Sequence, residues 1–129
     1  MNSNPFAGAK AAWVVYAALL TFAVLAGEAV NVSRSREISG LTLANWVLSA
    51  ALLTAVWGYS LQRRIGNKSY WRAVFWLVLF ANGVMLVPVL LNGGAVAAFT
   101  AALTLCIVPA YFAAYRYAYR SEDVWGSAR

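Results

Sequence analysis

Residues 73–115 read AVFWLVLFANGVMLVPVLLNGGAVAAFTAALTLCIVPAYFAAY, 43 consecutive positions without a charged side chain. One helix of that length, rising ~1.5 Å per residue, extends about twice the ~30 Å hydrocarbon thickness of a bilayer. The run must turn. Its only turn chemistry is Asn92, Gly93 and Gly94, because glycine takes positive φ without penalty and asparagine tolerates the left-handed region. The split predicts two spans, about 73–91 and 95–115. Two further charge-poor runs, about 11–32 and 41–61, bring the count to four.

Composition agrees with a membrane location. The 129 residues are 63% hydrophobic and 11% charged, whereas a soluble domain is about half apolar and about a quarter charged. The spans lack the apolar and polar alternation of barrel strands, and only helices or closed barrels satisfy the backbone in lipid. The expected fold is an all-α membrane protein, one domain over residues 1–129. It is a four-helix antiparallel transmembrane bundle joined by short loops, with a basic tail at 116–129. A cleaved signal peptide is the alternative for the first run. Against it stand a basic region of one lysine, Lys10, and an apolar stretch longer than the usual 7 to 15 residues.

Charge sets the orientation. With four spans, Lys10, Arg63, Arg64, Lys68, Arg72, Arg116, Arg120 and Arg129 share one side, and only Arg34 and Arg36 lie on the other. The positive-inside rule places both termini in the cytoplasm, in a bacterial inner membrane. Most tryptophans and tyrosines, including Trp13, Trp57, Trp71, Trp76 and Tyr115, fall near that same side. Trp46 alone marks the other interface.

Chemistry is sparse. There is no histidine, one cysteine (Cys106), and only four carboxylates, Glu28, Glu37, Glu122 and Asp123. No metal site, cofactor or catalytic residue is expected: zinc and iron ligand sets are missing, as are a phosphate loop, a dinucleotide fingerprint and a serine elbow. Glu28 falls in the last turn of the first span. There it serves either as an interfacial acid approached by Arg34 or Arg36, or as a coupling group for transport. Thr21, Thr54, Asn82 and Thr104 each lie near the middle of a span. They form either interhelical hydrogen bonds or a midplane polar layer able to hold a substrate. Small residues recur at four-residue spacing as Ala23 and Gly27, as Ala50, Thr54 and Gly58, and as Ala98 and Ala102, which lets helices approach closely in lipid. Pro88 and Pro109 interrupt the third and fourth helices, as hinges or as tolerated kinks.

The segment QRRIGNKSYWR at 62–72 supplies Arg63, Arg64, Lys68 and Arg72, which suit anionic headgroups at ~1 kcal/mol per basic residue. The aromatics beside them sit where an interfacial belt belongs, so no nucleic acid is expected. Arg116 and Arg120 continue the fourth helix beyond the membrane as a lipid or partner contact. The functional expectation is a small non-enzymatic polytopic inner-membrane protein acting by association, as a homo-oligomer or as an accessory or inhibitory subunit of another membrane protein. The alternative is a small transporter or channel using Glu28 and the midplane polar residues.

Overall fold

The computed structural model describes residues 5–34 and 37–120, with side chains from residue 9 onward. Arg36, Glu122, Asp123 and Arg129 lie outside the described residues. Four helices follow in order: α1 (Pro5–Arg34), α2 (Gly40–Leu61), α3 (Lys68–Leu91) and α4 (Gly94–Tyr115), the last continuing as a π-helical segment, Arg116–Arg120. All four are long and apolar enough to cross a membrane, and no strand occurs among the described residues. Phe22, Phe80 and Leu91 are 74%, 73% and 81% exposed. Rings and branched chains so placed on every side of a bundle suit hydrocarbon as their solvent, not water.

Local chemistry sets the helix ends. Ser39 caps α2 by accepting the Thr42 N–H at 3.2 Å, and Asn67 caps α3 by accepting the Ser69 N–H at 3.0 Å. Gln62 ends α2 in the left-handed conformation (φ 53°), and the Arg63 N–H then returns to the Gly58 carbonyl at 3.0 Å. The long apolar run turns where expected, with Gly93 and Gly94 at φ 67° and 79°. The boundaries differ from the sequence reading at two starts. Helix α1 begins at Pro5 and α3 at Lys68, each about a turn or more ahead of the charge-free runs. Caps stop a helix, whereas charge marks only where lipid stops.

The pairing of α1 with α2 is antiparallel. The Ser60 hydroxyl near the end of α2 reaches the Trp13 carbonyl near the start of α1 at 3.2 Å, while Asn45 near the start of α2 meets Glu28 near the end of α1. Two core clusters fill one end of the bundle. Ala17, Val56, Ala110 and Ala113 join α1, α2 and α4, and Ala55, Trp71, Ala114, Tyr117 and Ala118 join α2, α3, α4 and the π-helical segment. Alanines dominate both, because without a hydrophobic drive in lipid, helices gain by approaching closely.

Tyr117 closes that end. Its side chain is fully buried, and its hydroxyl donates to the Arg63 carbonyl and accepts the Ile65 N–H, both at 2.9 Å. Trp71 donates its indole N–H to the Ile65 carbonyl and packs edge-on against Tyr117. One tyrosine thereby ties the end of α4 to the α2–α3 connection. The ring has room only because residue 58 is glycine: a Cβ there would lie 2.8 Å from Tyr117 Cζ.

Tyr16 serves a different break. Pro109 lacks the N–H that would bond the Leu105 carbonyl, and the Tyr16 hydroxyl donates to the carbonyl one residue on, that of Cys106, at 3.0 Å. The bond ties α1 to α4 beside the proline.

Candidate functional site

Spaces open at both ends of the bundle, one of about 200 Å³ lying among Ala12, Trp13, Tyr16 and Pro109 toward the Tyr117 end. A crevice of about 10 Å³ lies among Ala55, Trp71 and Ala114, a cavity of about 80 Å³ lies at mid-depth beside Asn82, and a vestibule of about 320 Å³ opens at the far end beside Glu28. The mid-depth cavity and the vestibule sit one helical turn apart on three helices: Val24 against Glu28, Ser49 against Asn45, and Asn82 against Met85. Polar side chains thus descend from the mouth inward as Glu37 and Thr42, then Glu28 and Asn45, then Ser49 and Asn82. Below them, Leu52, Val78 and Tyr111 form an apolar floor shared with the smallest crevice. Together the vestibule and the mid-depth cavity outline a cup, although no residue lines both.

Glu28 is the fixed point of the cup wall. Its Oε1 accepts the Asn45 side-chain amide at 2.9 Å, and its Oε2 accepts the Trp46 indole N–H at 2.7 Å. Both donors belong to α2, so the carboxylate clasps the outer ends of α1 and α2. Bonds to an ionised acceptor are about twice as strong as neutral ones. Half-buried between helices yet bordering the vestibule, the carboxylate keeps lone pairs available on the cavity side.

The four midplane residues do not converge. Thr54 and Thr104 donate to the carbonyls of Ala50 and Thr100 on their own helices, at 2.7 and 2.8 Å. Thr21 donates to the Ala17 carbonyl at 2.7 Å and accepts the Trp57 indole N–H at 3.0 Å, an interhelical bond between α1 and α2. Asn82 donates to the Val78 carbonyl at 2.9 Å and borders the mid-depth cavity with Ser49, apart from the threonines. Of the five residues singled out in the interior, Glu28 and Asn82 therefore line the cup, one turn apart in depth. Pairing of Glu28 with Asn45 and Trp46 was not anticipated from sequence. A usable signal existed, since Glu28 and the Asn45–Trp46 pair stand at nearly equal distances in sequence from the α1–α2 connection, and a helical hairpin brings such positions to one level.

The cationic residues gather at the opposite end. Arg63, Arg64 and Lys68 belong to the α2–α3 connection and the start of α3, and Arg72, Arg116 and Arg120 flank the α3–α4 seam. The Arg72 guanidinium sits 4.9 Å above the Tyr119 ring, and that of Arg116 sits 5.6 Å above Phe112. The described acids Glu28 and Glu37 are both at the vestibule end, so the bundle is electrically polarised along its axis.

Comparison with known proteins finds no matching family model, no similar curated protein and no similar solved structure.

Proposed function

We propose that this is a small non-enzymatic membrane protein that acts by association, with copies of itself or as an accessory or inhibitory subunit of another membrane protein. It resides in a bacterial inner membrane with both termini and the Tyr117 end in the cytoplasm and the vestibule outside. The observation that carries the reading is the fate of the small-residue stripes. Gly58 is consumed inside the chain by Tyr117, but Ala23, Gly27, Ala98 and Ala102 are all exposed, and a Cβ at Gly27 would meet nothing within 4 Å. Surfaces shaped for close helix approach serve packing only if a helix from another chain fills them. Charge supports the orientation, since the Tyr117 end gathers Lys10, Arg63, Arg64, Lys68, Arg72, Arg116 and Arg120.

Mass measurement of the detergent-solubilised protein tests association. A dimer or larger particle, or a stoichiometric partner, is expected, and Gly27→Leu with Ala98→Leu should shift it toward the single-chain mass of 14.0 kDa. A particle that is monomeric and partner-free at all concentrations in mild detergent, with the same mass in native lipid, would count decisively against it.

The polar descent from Glu37 to Asn82 favours a second reading, a cation-coupled transporter whose route is completed between subunits. Glu28 and Glu37 both border the vestibule, and an acid within a span is by default a functional group. A cup in one chain gives no passage by itself, so this reading also requires an oligomer.

A further inference from the structure

We infer that the α3–α4 seam at the Tyr117 end holds one anionic phospholipid, its phosphate on Arg72 and its glycerol and acyl region along Trp76 and Phe80. The inference rests on the chain lying in a bilayer but not on its associating, so the two stand or fall separately. Arg72, Trp76 and Phe80 follow at four-residue spacing on α3 and so share one face. All three are exposed, with Trp76 at 58% and Phe80 at 73%. In order they present a cation, an amphipathic indole and a phenyl ring, which matches headgroup, interface and hydrocarbon along a single lipid.

The seam is also pre-organised, which separates it from diffuse attraction to a charged surface. Tyr119 lies under the Arg72 guanidinium at 4.9 Å, accepts the Trp76 indole N–H at 2.9 Å, and stacks on Tyr115 with ring centroids 5.0 Å apart. Phe75 closes the back of the group against Tyr115 at 5.8 Å. A guanidinium held over a ring keeps N–H groups free to point outward, and their fork suits the paired oxygens of a phosphate. The basic charge around it favours an anionic lipid over a zwitterionic one.

Native mass spectrometry of the protein, exchanged from nanodiscs of phosphatidylcholine containing a minor fraction of phosphatidylglycerol, reads the site directly. One phosphatidylglycerol per chain should be retained in preference to phosphatidylcholine. Arg72→Gln should lower that retention at least fivefold, and Tyr119→Leu should lower it similarly by removing the platform. Arg63→Gln, a change of equal charge outside the seam, should leave it within twofold. Thermal denaturation in pure phosphatidylcholine nanodiscs confirms that each variant is folded, and Tyr119→Phe, which keeps the ring under Arg72, should retain the lipid within twofold, a fivefold loss there counting against the ring as the platform. Equal losses in Arg72→Gln and Arg63→Gln would reduce the effect to diffuse charge and overturn the site. So would equal retention of both lipids, displacement of the lipid by millimolar glycerol phosphate, or a disulfide between two chains through cysteines placed at position 76.

Discussion

Gly58→Ala is expected to destabilise the protein by about 2 kcal/mol, within the ~1–3 kcal/mol usual for forcing extra carbon into a packed interior. The new methyl would lie 2.8 Å from Tyr117 Cζ and 3.0 Å from its hydroxyl oxygen. A flexible side chain would move aside at little cost, but Tyr117 is fully buried and its hydroxyl is bonded to both Arg63 and Ile65. Displacing the ring therefore breaks the tie between α4 and the α2–α3 connection. Unfolding in mixed micelles with rising denaturing detergent measures the loss. Paired with Tyr117→Leu, the alanine should cost much less than it does alone, because neighbours that share one contact are not additive. Independent, additive losses would contradict the packing described for this end.

The second large effect is at the other end, where Glu28→Leu should cost about 2 to 3 kcal/mol, given ~1.5–3 kcal/mol for each hydrogen bond to a charged group and partial relief by water in the vestibule. The substitution strips the acceptor from both the Asn45 amide and the Trp46 indole. Glu28→Gln keeps one carbonyl oxygen and should lose about half as much. The same pair of variants separates structure from transport. If the carboxylate only clasps α1 to α2, any activity should follow stability through both variants. If it couples cation movement, Glu28→Gln should abolish flux while the protein remains folded.

Much of the fold was legible in particular residues. The Asn92–Gly93–Gly94 turn followed from length and turn chemistry together, because 43 uncharged residues are too long for one crossing and these three residues favour a turn. Helix starts were less legible, since Asn67 caps α3 at a point set by backbone hydrogen bonding and not by hydropathy. Depth in the membrane was readable, but direction around each helix was not. Thr21, Thr54, Asn82 and Thr104 all lie near mid-span, yet only Asn82 borders the mid-depth cavity. A threonine hydroxyl can satisfy itself on the carbonyl four residues back, so its presence in a span carries no obligation to a partner helix. Likewise the four-residue stripe holding Gly58 was visible, but its partner Tyr117 is on α4, a helix not adjacent in sequence. Only packing could join them.

Sidedness sets which membrane face the basic end and the vestibule meet and which partners each can reach, and one experiment decides it. A topology reporter fused after Arg129 should behave as cytoplasmic, and the same reporter inserted at Ser39 or at Gly93 should behave as exterior. An exterior signal after Arg129 with cytoplasmic signals at Ser39 and Gly93 would contradict the arrangement, placing the basic Tyr117 end outside and the vestibule in the cytoplasm.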